Sequence, residues 1–286
     1  MHDIPLIRSA NQLRSRVRSW RAFGETVALV PLQGGVHDGH LALVRRAQRD
    51  WDRVLGAIFQ DPLDRPADLA DDEYCPSEDR DAEALDREGV DALYAPAPRV
   101  FYPSGFQAEI RLPALTSVLC GEDEPHRFDG FVRTMVKMLG QAQPDAVILG
   151  ARDWQKVAIA RRLVADFDLP VKVAVAATER DMDDIAISSE AERLDAEGRA
   201  VARRLFRVLT RAADEIAAGA PADPALDAAA DALADAGAEV EYLEMRDSET
   251  LEERSVVDEA RPARIFAAIR IGDVRLIDNV PAAARG

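Results

Sequence analysis

Residues 26–32 read TVALVPL, residues 33–40 read QGGVHDGH, and residues 41–51 read LALVRRAQRDW. The first run is short, apolar and rich in β-branched residues, which predicts a buried strand. The last run repeats its apolar residues at three- and four-residue spacing, the period of a helix. Between them, Gly34, Gly35 and Gly39 permit a tight turn and close approach of backbone to a ligand. A strand, a glycine-rich turn and a helix in that order open an α/β unit.

The same alternation continues outward. Val54–Phe59, Ala92–Ala95, Ala146–Gly150 and Val171–Ala177 read as further strands. Leu41–Trp51, Ser77–Glu88, Phe131–Gln141 and Trp154–Phe167 read as the intervening helices. Strands alternating with helices imply right-handed crossovers and a Rossmann-like parallel sheet with helices on both faces. Such sheets bind ligands at the carboxyl ends of their strands. After about Ala177 the pattern changes to alanine-rich helices at Ala200–Ala218 and Pro224–Ala236. Strands follow at Val240–Met245, Ile265–Ile271 and Val274–Ile277. Gly272-Asp273 between the last two is a two-residue hairpin signal. The expectation is a nucleotide-binding domain over 1–177 and a smaller α+β domain over 178–286, with no internal repeat.

The 286 residues suffice for two domains. With 48% apolar and 31% charged residues, the chain fits neither a disordered nor a fibrous protein. A formal charge of −16, without a basic patch, argues against nucleic acid. No uncharged apolar run reaches the ~20 residues of a membrane span, and residues 1–10 lack a secretory pattern. Cys75 and Cys120 are too few for a disulfide framework or a zinc site. The expectation is a cytoplasmic protein with no metal held by its own side chains.

Three segments can carry chemistry. In the first, His40 falls at the helix N-terminus, where free N–H groups and the macrodipole attract anions, and His37 precedes it by three residues. Two imidazoles there can hydrogen-bond phosphates and stabilise charge on a leaving phosphate; the alternative is a turn with two incidental histidines. In the second, Gly150-Ala151-Arg152-Asp153-Trp154-Gln155-Lys156, a strand end again opens into a helix. Arg152 suits a phosphate, and Asp153 suits a ribose hydroxyl or a helix cap. The third, at the domain junction, ends in Ser188-Ser189, which either donate to phosphate or cap the helical stretch that follows.

In this order and spacing, the three segments resemble those of the pantothenate synthetase (pantoate–β-alanine ligase) family, within the H-x-G-H nucleotidylyltransferase superfamily. The resemblance runs from about Val27 to Asn279 and takes in 64–69 and Leu276-Ile277-Asp278-Asn279. It implies that a carboxylate attacks the α-phosphate of Mg2+-ATP, forming an acyl adenylate and pyrophosphate. An amine, β-alanine in the family, then displaces AMP. His37, His40 and Arg152 would be catalytic, while Gly39, Gly150, Asp153, Ser188, Ser189 and Arg193 would bind ATP. The resemblance also implies a homodimer and a C-terminal domain that closes as a lid.

The chain departs from the family mainly on the acid side. Leu32 and Gln33 replace the Thr-Met of P-T-M-G, Asp61 replaces the Asn of F-V-N-P-x-Q-F, and Lys156 replaces the second glutamine of K-D-x-Q-Q. Gln33, Asp61 and Lys156 are therefore the expected acid pocket. Glu124 and Arg127 replace the Arg and His of R-P-x-H-F-x-G. Glu190 stands where the family has an arginine, with Arg193 as a possible substitute, and Asp184 stands where it has a glycine. A site that hydrogen-bonds hydroxyls discriminates steeply, so these changes lead to the expectation of an amide ligase acting on an altered acid. The alternatives are ordinary pantothenate synthesis, a nucleotidyltransferase that forms no amide, or an ATP-binding pseudoenzyme.

Overall fold

The computed structural model describes residues 3–61, 77–123, 125–258 and 260–282, the side chains at 123–127 excepted. The 64–69 segment, the acidic run Asp71-Asp72-Glu73, Cys75 and the side chains of Glu124 and Arg127 lie outside the described residues.

Strand β2 (Val27–Leu32) is buried along nearly its whole length, which is why it reads as an unbroken apolar run. It lies inside a six-stranded parallel sheet with β1 (Leu6–Ile7), β3 (Arg53–Ile58), β4 (Ala92–Tyr94), β5 (Ala146–Gly150) and β6 (Lys172–Ala176), in the order β1-β4-β3-β2-β5-β6. Alternate residues of each strand face opposite sides. Val27, Leu29, Leu55 and Val147 join the core under α1 (Ala10–Ala22), α7 (Pro125–Ala142) and α8 (Trp154–Asp166). Ala28, Val30, Val54 and Ile148 join the core under α2 (Asp38–Asp50) and α3 (Glu78–Arg87). Helices thus cover both faces, as the alternation of the sequence implied.

The chain reverses its direction of travel across the sheet between β2 and β5, the position where such folds open a crevice. The β2–β5 ladder pairs Ala28 and Leu29 with Ala146 and Val147 and stops there, although both strands continue. Pro31, which has no N–H to offer, lies beyond the end of that ladder.

Helices α9 (Ala196–Ala217) and α10 (Ala222–Ala234) pack on an antiparallel sheet of β7 (Glu239–Asp247), β8 (Ala263–Ile271) and β9 (Val274–Ala282) around a core of their own. Helix α9 starts four residues earlier than its apolar spacing suggests, because Asp195 caps it by accepting from the Gly198 N–H at 2.7 Å. The predicted hairpin is present: Ile271 pairs with Val274, and Gly272 takes φ +59°. Several elements escaped the sequence reading, among them the four-residue helices α4 (Pro98–Phe101), α5 (Pro113–Thr116) and α6 (Cys120–Asp123). Strand β1 is two residues long, and α1 buries Leu13, Val17 and Trp20 ahead of the first strong strand.

Candidate active site

The turn after β2 is shaped by two glycines and a distant acid. Gly34 and Gly35 take φ +92° and +64°, backbone that other residues adopt at a cost. The buried Asp81 of α3 accepts from the Gly35 N–H at 2.9 Å and the Val36 N–H at 2.8 Å, which pins the loop. Gly39 works differently. A Cβ there would stand 2.9 Å from His37 Cε1 and 3.2 Å from the Ile187 carbonyl oxygen, so glycine makes room for the His37 ring.

The rings of His37 and His40 stack with centroids 3.9 Å apart and planes at 23°. The His37 N–H donates to His40 Nδ1 at 3.4 Å, which leaves the ring proton of a neutral His40 on Nε2. Burial, then the neighbouring His37 and Arg152, push His40 down to about 3. Burial and Arg152 also lower His37. Both imidazoles are therefore neutral near pH 7. His37 Nδ1 is buried without a hydrogen-bond partner among the described residues.

After β5 the chain makes a short 3-10 turn, Ala151–Asp153, before α8. Arg152 sits 3.3 Å from Asp153 and 3.5 Å from Glu190, and Lys156 Nζ sits 3.6 Å from Asp153 Oδ1. Burial alone would raise the Asp153 carboxyl, but Lys156 and Arg152 outweigh it and hold the group ionised well below the usual carboxylate range. Asp153 makes no side-chain cap bond, so the capping alternative is not realised. Asn279 of β9 reaches across and donates to the carbonyls of Ala151 and Arg152 at 2.9 and 2.8 Å.

At the junction, the buried Ser188 accepts from the Ala191 N–H at 3.1 Å and so caps the next turn, while its hydroxyl donates to the Glu190 carboxylate. Ser189 is exposed. Arg193 pairs with Asp273 at the tip of the β8–β9 hairpin. Asp184 takes φ +63°, the left-handed region that a glycine enters freely and aspartate tolerates better than most residues.

Two cavities meet here. The smaller, about 130 Å³, is lined by His37, Gly39, His40, Gly150 and the Ala177–Glu179 stretch. The larger, about 270 Å³, runs between the two sheets past Trp154, Ser188, Arg193, Phe206, Tyr242 and Arg275. Gln33, Arg152, Asp153 and Lys156 line both. Asp61 does not join them, and here the expected acid pocket needs correcting. Its side chain is buried away from both cavities, where it accepts from Tyr102 at 2.7 Å, Arg133 at 2.9 Å and Thr134 at 2.9 Å. A neighbouring guanidinium and two hydroxyls satisfy this carboxylate, which lines neither cavity. Asp81 and Asn279 were missed as positioning groups because their partners lie 46 and 128 residues away.

The family model for pantoate-beta-alanine ligase matches residues 5–281. A pantothenate synthetase of Cereibacter sphaeroides is 41% identical over 280 residues, covering 97% of this chain and 99% of its own. One of Paracoccus denitrificans is 41% identical over 286 residues, covering 99% and 100%. Among solved structures, pantothenate synthetase of Thermus thermophilus superposes with a TM-score of 0.86 at 31% identity, covering 98% of this chain and 100% of that one. The pantoate-beta-alanine ligase of Francisella tularensis, complexed with beta-gamma ATP and beta-alanine, gives 0.76 at 26%, covering 98% of each.

Proposed function

The chain belongs to the pantoate–β-alanine ligase family, and on that premise we propose that it is an ATP-dependent ligase joining the carboxyl group of pantoate to the amino group of β-alanine. The observation that carries this reading is the pairing of two strand ends across one crevice. One end presents a neutral, stacked histidine pair and the other presents Arg152 and Lys156.

ATP lies in the smaller cavity, with Gly150 against the base and Asp153 accepting from the ribose. His40 Nε2–H and His37 donate to the phosphates beside Arg152. The Ser188 hydroxyl, Ser189 and Arg193 approach the triphosphate from the junction. Gln33 and Lys156 hold the acid where the two cavities meet. A pantoate carboxylate oxygen attacks the α-phosphorus, and the bond to pyrophosphate breaks with its electron pair on the leaving group. The β-alanine amine then attacks the acyl carbon, loses a proton to solvent and expels AMP. Magnesium bound to the triphosphate would supply charge neutralisation there; Asp153 and Glu190 are already paired with Arg152, so they suit charge balance better than metal ligation. The 178–286 unit as a lid over a 1–177 nucleotide domain, a homodimer and a cytoplasmic location belong to the same reading.

An altered acid has less support. Relatives alike along almost the whole chain favour the ordinary substrates, and with Asp61 tied to Arg133 the expected charge change in the pocket reduces to Lys156. Acid-dependent ATP–pyrophosphate exchange tests the choice. Exchange with pantoate, followed by AMP release that depends on β-alanine, is expected. Exchange with other acids but not pantoate would restore the altered-acid reading, AMP transfer without an amine would restore the nucleotidyltransferase, and silence with every acid would favour the pseudoenzyme.

A further inference from the structure

Asn279 lies on β9 of the second sheet, yet both of its amide hydrogens serve the first domain. Nδ2 donates to the carbonyls of Ala151 and Arg152 at 2.9 and 2.8 Å. Its Oδ1 accepts from Arg264 Nε at 2.7 Å, which fixes the sense of the amide so that the NH2 faces the turn. The residue is buried, and Arg264 is itself clamped over the Trp154 ring at 3.9 Å. Ala151 and Arg152 belong to a single 3-10 turn, and these two bonds from β9 restrain its carbonyls. That turn sets where Arg152 and Asp153 point into both cavities.

Resting on the proposed ligase reading, we infer that Asn279 is a positioning residue that makes nucleotide affinity depend on docking of the C-terminal sheet, by holding the Ala151–Arg152 carbonyls and through them the Arg152 and Asp153 side chains. Linkage makes the effect reciprocal, so bound nucleotide tightens the docking by the same factor.

The test is direct calorimetric titration of ATP, without acid, into the full chain and into Asn279→Ala, Asn279→Asp and Asn279→Ser, followed by steady-state exchange. The dissociation constant for ATP should rise about tenfold in Asn279→Ala and at least as much in Asn279→Asp, whose carboxylate cannot donate to a carbonyl. Asn279→Ser, which keeps one donor, should fall between, and KM for the acid should stay within about threefold throughout. A purely structural role would lower the active fraction and leave both constants of the folded protein unchanged. Arg264→Met, which frees the amide to rotate, should reproduce the ATP effect in weaker form and covers the case in which Asn279→Ala does not fold. Unchanged ATP affinity in the folded variants, or a parallel loss for ATP and acid, overturns the inference alone. Failure of the wild-type chain to bind ATP overturns the ligase reading and the inference together.

Discussion

Lysine at position 156 is the sharpest point at which the chemistry can be challenged. Arg152 and Lys156 balance Asp153 and Glu190, so removing Lys156 leaves that group with one negative charge in excess. The two reactants that meet there, a carboxylate and a triphosphate, are both anionic. A unit charge about 4 Å away at an effective dielectric of ~20 is worth ~4 kcal/mol. The lysine is 24% exposed, and the rate depends on the part of the interaction that grows between ground and transition states, so about 2.7 kcal/mol, or ~100-fold, is the expected cost. Lys156→Met, which removes the charge without restoring the family's glutamine, should lower the maximal rate of pantoate-dependent ATP–pyrophosphate exchange by about that factor at saturating ATP, and Lys156→Arg should stay within ~10-fold of wild type. Loss of Lys156 also removes one of the two cations that depress Asp153, but Arg152 remains. The carboxylate therefore stays ionised at neutral pH, and the loss should be the same from pH 6 to 8. A Lys156→Met variant within ~3-fold of wild type, or faster, would refute this electrostatic account.

Three further outcomes follow from the geometry. His40 is depressed from 6.5 to about 3 by burial, so its neutral form contributes stability that is fully present above about 6.5 and is lost as pH falls toward 3. Acid titration of unfolding free energy should be shallower over that window in His40→Gln, and an equal slope would count against the burial. Gly39→Ala should cut exchange ~10-fold or more by displacing the His37 ring, with stability changed by less than ~1 kcal/mol because alanine favours the helix. Normal exchange would mean that the ring has no fixed role. Asp61→Ala leaves Arg133 without its buried carboxylate and should cost ~3 kcal/mol in denaturant unfolding while KM for pantoate stays put; a raised KM would return Asp61 to the acid pocket.

Much of the architecture could be read locally. Strands buried on both faces must be continuous apolar runs, and the crossover helices must show a helical period, so β2 to β6 and α2, α3, α7 and α8 were visible as patterns. The histidine turn and the Gly150–Lys156 turn were visible as well, because each is a contiguous strand-to-helix junction. What stayed hidden depends on distance along the chain. Asp61 carries no mark of whether it faces a ligand or a guanidinium 72 residues later. Asp81 reads as an ordinary acid in a first helical turn, although its oxygens face Gly35 and Val36. The positive φ at Asp184 cannot be inferred from aspartate itself, and β1 is too short to show a period.

The bond from Asn279 to the Ala151–Arg152 turn also orders events in time. His40 and Asn279 are 239 positions apart, so at ribosomal speeds of ~5–20 residues per second the histidine turn is made ~10–50 s before the side chain that completes its partner. Through that interval the parallel sheet has its strands and Gln155 can already donate to the Leu115 and Val118 carbonyls, but the carbonyls of Ala151 and Arg152 still lack the amide that β9 brings. The strands of the parallel sheet thus exist before its last long-range restraint does, and β9 is the element whose synthesis supplies that restraint.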